Sequence, residues 1–295
     1  MRIKRNKVAM ISAGVALFFV AIAFLAPVIT KIFGVDNTTL YLDQLSEGQP
    51  KGTFGGISIS HPFGIEPGAG RDLMALLLYG SRISFSIALI TSITYVGIGL
   101  ILGITAAYVG GVLDSIIGRI ADFLLAFPTT FMFVALSVPL TMRVEATGIA
   151  KDNGARIVVM VIVLTIFSWP GFFRVVRSQV LSLREREFVL ASQVLGASKR
   201  RIIFKELMPN LWPFAIIYLS ISLPGYLAAE AVFSFLGVGV QAPSTTWGLV
   251  LNDAASFWQR DPTYLAIPAL MVITVVLSLN LLGDGLRDAL DPKAN

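Results

Sequence analysis

Six long apolar runs, parted by polar or charged segments, dominate the hydrophobic pattern of the chain: residues 8–30, 83–109, 116–140, 157–173, 211–236 and 264–282. Each is long enough to cross a hydrocarbon core ~30 Å thick, which takes about 20 residues of helix. A backbone surrounded by lipid must satisfy its own hydrogen bonds, so these runs predict helices. Even parity places both termini on one side. The first run also has the form of a secretory leader, with a basic start at Arg2, Lys4, Arg5 and Lys7 and a small-residue stretch at Ala21-Ile22-Ala23. Its apolar character continues through Phe24 and Leu25 to Ile29, which favours a retained anchor.

Composition sharpens this picture. Hydrophobic residues make up 55% of the 295 positions and charged residues 14%, with a mean hydropathy of +0.78, against roughly 45–50% and about 25% in soluble domains. Orientation follows from Lys and Arg near the span ends, which favour the cytoplasm. Arg2, Lys4, Arg5 and Lys7 precede the first span, and Arg174, Arg177, Arg184, Arg186, Lys199, Arg200, Arg201 and Lys205 lie between the fourth and fifth. Both segments are expected inside, with the N- and C-termini. The C-terminal tail dissents, because Asp284, Asp288 and Asp291 outnumber Arg287 and Lys293, but acidic residues count little in this rule. The net charge of +5 is explained by that topology, and no nucleic-acid partner is expected.

Candidate chemistry is sparse. There is no Gly-x-x-x-x-Gly-Lys-Ser/Thr phosphate loop, so nothing evident grips ATP phosphates. The chain has no cysteine and one histidine, His61, too few for a typical nitrogen or sulfur metal site or a Ser-His-Asp triad. No catalytic residue, metal or cofactor is expected on this chain. Ionisable groups inside spans are functional candidates by default. Arg119 and Asp122 sit three apart, where they can pair as a structural ion pair. Glu230, beyond the Pro224-Gly225 pair that should weaken its helix, either lines a water-filled pathway or bonds to a neighbouring helix. Gly97, Gly99 and Gly103 include a Gly-x-x-x-Gly spacing that permits close helix approach. Pro128, Pro170, Pro224 and Pro268 can each bend a span.

The most informative stretch is the inner loop, residues 184–209. Ala191, Val194 and Leu195 fall at helical spacing, and Gly196 suits the left-handed position just past a helix end. Ser198 can cap a second helix running toward Pro209. The pattern fits a helix, glycine hinge, helix unit or an amphipathic helix resting on lipid headgroups.

This loop resembles the Glu-Ala-Ala loop of binding-protein-dependent ABC importer permeases, with Ala191 in the triplet, Gly196 after it and Pro209 at the expected distance. Leu190 and Ser192 replace the named Glu and second Ala, and Glu206 stands where an aliphatic is usual. Further stretches resemble the oligopeptide, dipeptide and nickel branch: His61-Pro62-Phe63-Gly64 leading to Gly70-Arg71-Asp72, then Tyr79-Gly80-Ser81-Arg82-Ile83-Ser84. Phe235-Leu236-Gly237-Val238-Gly239-Val240-Gln241 with Pro243 and Trp247-Gly248 follows, and last 280–292 with its Gly283-Asp284-Gly285. Residues 65–69 depart from the usual sequence, and a longer insertion precedes His61.

The resemblance implies an all-α, polytopic membrane protein with six transmembrane helices in the type I ABC importer permease fold. Residues 1–80 would form the N-terminal helix and extracytoplasmic loop, and 81–295 a five-helix core. It implies a permease that forms half of a peptide pathway in the cell membrane, with a similar second permease subunit as heterodimer partner. Two ABC ATPase subunits carrying ATP and Mg, and an extracytoplasmic substrate-binding protein, complete the assembly. The coupling loop would comprise Glu187, Ala191, Ser192, Gly196, Ala197, Ser198, Arg201 and Pro209, with Glu230, Pro224 and Gly225 as pathway or gating candidates. The competing readings are an ion-gradient-driven carrier or channel acting alone, and an ABC importer for nickel or another small solute.

Overall fold

The computed structural model describes residues 6–290. Arg2, Lys4 and Arg5 of the basic start, and Asp291, Pro292 and Lys293 of the tail, lie outside the described residues. Ten α-helices follow in order: α1 Lys7–Phe33, α2 Leu73–Val109, α3 Gly111–Leu125, α4 Thr129–Thr147, α5 Asp152–Leu183, α6 Glu187–Val194, α7 Lys199–Arg201, α8 Met208–Phe235, α9 Trp247–Ala255 and α10 Pro262–Leu290. A short hairpin of β1 Leu45–Ser46 and β2 Gln49–Pro50 ornaments the loop after α1.

Five of the six predicted spans are single helices, each longer than its apolar run. The third is not. Residues 116–140 divide between α3 and α4, which meet at a bend of 89°. Pro128 causes the break: it has no N–H to donate, it disfavours helix at Phe127 before it, and it adopts an extended backbone at the N-cap of α4. The 19 residues of α4 span about 28 Å alone, close to a hydrocarbon core. By contrast α5, α8 and α10 run unbroken through Pro170, Pro224 and Pro268.

Helix α2 is the centre of the bundle, packed along α5 and α8, while α1 lies against α10 and α2. Close approach of α2 to α5 rests on two glycines. A methyl group on Gly99 would sit 3.0 Å from the Phe172 ring, and one on Gly103 only 2.7 Å from Val176 Cβ. Gly97 faces open space. The expected Gly-x-x-x-Gly contact therefore uses 99 and 103, and lets two backbones gain dispersion contacts where lipid supplies no hydrophobic drive. Hydroxyls add ties between spans: Thr94 to Thr165 at 2.8 Å, Ser222 to Ser92 at 3.1 Å, and Tyr95 to the Tyr218 carbonyl at 3.0 Å.

The expected Arg119–Asp122 pair is not formed. Asp122 accepts from Arg174 Nη2 at 2.5 Å, and Asp114 takes both Nε and Nη2 of Arg177 at 2.6 Å. Arg174 and Arg177 stand one turn apart on α5 and face α3, so the acids of α3 reach across to another helix. The first pair is largely exposed and contributes little to stability.

At the opposite end from α6, the loop between α1 and α2 is tied down by the motif around His61. His61 Nδ1 lies 2.8 Å from Asp72 Oδ2, and Asp72 Oδ1 accepts from the Ala75 N–H at 2.7 Å, capping α2. Burial pushes the Asp72 carboxyl above its usual range, opposed by the Ala75 amide and His61. Arg71 grips Glu66 with two bonds, at 2.5 and 2.7 Å, and the Tyr264 hydroxyl adds a third at 3.2 Å. His61 is thus a structural residue, as its isolation in the sequence suggests.

Candidate coupling site

Between α5 and α8 the chain leaves the bundle and returns within a short span, and local sequence dictates how. Helix α6 ends at Val194 with Leu195 as its C-cap, after which Gly196 takes φ +77°. Left-handed backbone costs a residue with a Cβ roughly 1–2 kcal/mol, so glycine fits the turn. Ser198 then caps the return, its Oγ accepting from the Arg201 N–H at 3.3 Å. Pro209, in the first turn of α8, denies a bond to the Lys205 carbonyl. The backbone before it, Ile202–Leu207, widens into a π-helical stretch that absorbs the mismatch, and the Asn210 side chain donates to the Glu206 carbonyl at 2.6 Å.

The two arms are joined to each other and to the bundle. Ser192 Oγ donates to Glu206 Oε1 at 3.2 Å. These are two of the three departures from the usual loop sequence, and they contact one another. Arg184 Nη1 donates to the Ala107 carbonyl at 3.1 Å, pinning the loop to the end of α2. Val189, Ile202 and Leu207 are buried in the core that also holds Phe172, Phe173 and Val176. The base of the loop is thus packed into the same core as α2, α5 and α8.

The tip behaves differently. Val194 is 87% exposed and Leu195 86%, while Glu187, Ala191, Ser198 and Arg201 are also exposed, with Ser192 and Ala197 half-buried. The apolar residues read as one helical face thus point away from the bundle, and Val189 makes the inward contact. Val194 and Leu195 are the functional candidates that the sequence pattern left out of the site. Their signal was apolar character beside a glycine turn in an otherwise charged loop.

Glu230 lies far from this loop, fully buried in α8. Ser84 of α2 donates to its Oε2 at 2.5 Å and Ser234 to its Oε1 at 2.8 Å. The same Ser84 Oγ receives the Trp247 N–H at 3.4 Å, and Gly248 sits so close on Ala231 that a side chain there would strike its carbonyl. Of the two roles open to Glu230 in the sequence, this geometry is that of a tie between helices. Pro224 is buried one turn and a half before it, and Gly225 is exposed.

Comparison with known proteins adds a second line of observation. Residues 99–295 match the family model described as binding-protein-dependent transport system inner membrane component, and residues 1–43 match the N-terminal TM domain of oligopeptide transport permease C. The dipeptide transport system permease protein DppC of Alkalihalophilus pseudofirmus is 34% identical over 99% of this chain and 88% of its own. The oligopeptide transport system permease protein OppC of Bacillus subtilis is 33% identical over 99% and 88%. Among solved structures, the inward-facing MetNI methionine ABC transporter matches with a TM-score of 0.57 at 20% identity, covering 74% of this chain and 98% of that chain. That likeness is one of fold.

Proposed function

This chain belongs to the family of binding-protein-dependent transport system inner membrane components, as an ABC importer permease subunit of the peptide type, and on that premise we propose that it forms half of a translocation pathway for short peptides. The other half is a similar second permease, the motor is a pair of ATPase subunits on the cytoplasmic side, and cargo arrives from an extracytoplasmic binding protein. The termini and the loop around Gly196 face the cytoplasm, which the Lys and Arg distribution supports.

The observation that carries this reading is the exposed apolar tip, Val194 and Leu195, on a loop whose base is built into the helix bundle. Full burial of such side chains against a partner contributes about 1.5–3 kcal/mol each. ATP binding and hydrolysis would move the docked tip, and the rigid base would tilt α5 and α8 and change the side to which the pathway opens. Transmission requires that the ATPase hold the loop differently in its two states. Glu230, joined to Ser84 and Ser234, keeps α8 and α2 together at the far end, and Pro224 with Gly225 marks where α8 can flex. Peptide cargo is supported by what the relatives transport.

Purification of the intact assembly followed by mass spectrometry of its subunits and cargo tests this. Recovery of an ATPase, a second permease and bound peptide is expected. Transport by this chain alone, driven by an ion gradient in liposomes, would contradict it.

A further inference from the structure

Helix α2 carries no charged residue from Ile83 to Val109, and Arg82 stands directly at the start of that stretch. Counted along α2, Arg82 is about 14 Å from the first residue. The uncharged remainder is about 40 Å long, enough to cross the hydrocarbon core. Arg82 therefore lies at headgroup depth in the leaflet opposite the Gly196 loop. It is exposed, and among the described residues its guanidinium has no ion-pair or hydrogen-bond partner. Asn37 and Thr38 line a hollow with Arg82, and the carboxylate of Asp36, before them in the chain, is taken up by Thr38 and Thr39 at 2.6–2.7 Å.

Two hollows meet at this arginine. The outer one, about 600 Å³, is lined by Asn37, Tyr79, Arg82, Ser86 and Thr245 among others. Thr245 is only 5% exposed, and its Oγ has no hydrogen-bond partner, an unusual condition for a buried hydroxyl. The inner one, about 210 Å³, lies between α1, α2, α8 and α10, with Val20, Phe24, Phe85, Leu223 and Leu279 in its walls. Arg82 and Ser86 line both. An apolar cavity of about 150 Å³ already holds a benzene ring, so the inner hollow has room for a length of hydrocarbon chain.

We propose that this double hollow is a glycerophospholipid site, with the phosphate on Arg82, beside the unpartnered Thr245 hydroxyl, and one acyl chain in the apolar groove. A guanidinium matches a phosphate with two parallel N–H···O bonds, and Tyr79 stands where aromatic side chains gather at a membrane interface. A polar cleft alone would suit any small anion, such as the carboxylate of a peptide. A hydrocarbon-lined groove that shares Arg82 and Ser86 with it at bilayer depth selects an amphiphile. The bound lipid would wedge α1 against α2 and α8, so that the N-terminal helix is held to the bundle partly through lipid.

The test is native mass spectrometry of the full assembly released from nanodiscs containing phosphatidylglycerol or a phosphate-free diacylglycerol of the same chains. Phosphatidylglycerol should be retained and diacylglycerol not. Arg82→Gln should lower retention at least about tenfold, the loss expected for one charge-assisted bond, and Arg82→Lys should restore part of it. Equal retention of the two lipids by the unaltered protein overturns the site without any variant, as does unchanged phosphatidylglycerol on Arg82→Gln. A third result would also overturn it: if Arg82→Gln slowed uptake of a free-acid dipeptide but not of its C-terminal amide, cargo would be the ligand of Arg82. Retention is read on this chain whether or not an ATPase co-purifies, so it stands apart from the transport reading.

Discussion

Replacement of Gly196 separates backbone geometry from every other contribution to coupling. The residue sits at φ +77°, and a Cβ built there meets nothing within 4 Å, so a new side chain meets no steric obstacle. The whole effect is the cost of left-handed backbone, roughly 1–2 kcal/mol for an ordinary L-residue and more for a β-branched one. One to two kcal/mol corresponds to a factor of about 5–30 in the ratio of bent to unbent loop. Gly196→Asn, which tolerates this region, should keep near-normal activity. Gly196→Ala should reduce substrate-stimulated ATP hydrolysis about fivefold, and Gly196→Val by about thirtyfold or more, with membrane insertion unchanged in all three. The assay is ATP hydrolysis in proteoliposomes with and without binding protein and cargo, beside the amount of each variant in the membrane. Equal stimulation in the Val and wild-type proteins, or an Asn variant as impaired as Val, would refute the turn's role.

Gly103→Val places its first carbon 2.7 Å from Val176 and should cost about 1–3 kcal/mol by overpacking. Gly97→Ala, facing open space, should be neutral, and thermal unfolding in detergent compares the two. Arg71→Met leaves Glu66, only 4% exposed, without its cation and should destabilise the outer loop by about 3–5 kcal/mol, read as faster proteolysis of residues 34–72. Hydrogen bonds from the Thr39 and Thr38 hydroxyls and amides hold Asp36 well below its ordinary 3.8. Its contribution is therefore complete above that pH and lost as pH falls through the depressed folded value. Exchange protection of the Thr38 and Thr39 amides should hold to about pH 4 and then decline, and Asp36→Asn should abolish that dependence.

What could be read without coordinates was what local physics decides. Apolar run length located five of the six spans, and Gly196 with Ser198 announced a turn and a cap whose φ and hydrogen bond are present. Pro128 advertised a bend, but its size depended on how α3 and α4 pack on α5, which no local pattern encodes. Arg119 and Asp122 satisfied the helical pairing rule, yet Arg174 offered Asp122 a partner from fifty-two positions away. The role of Glu230 was open for the same reason, since Ser84 lies 146 residues before it. Exposure of Val194 and Leu195 was hidden because spacing shows that apolar residues share a face without showing which way the face turns.

Because the natural chain contains no cysteine, Leu195→Cys creates a unique thiol at the loop tip. Cross-linking that thiol in membranes holding the whole assembly should join this chain to a nucleotide-hydrolysing subunit, with a yield that changes between ATP-bound and nucleotide-free states. A thiol that reacts only with reagents confined to the extracytoplasmic side, or that captures no ATPase in any nucleotide state, would contradict coupling through this loop.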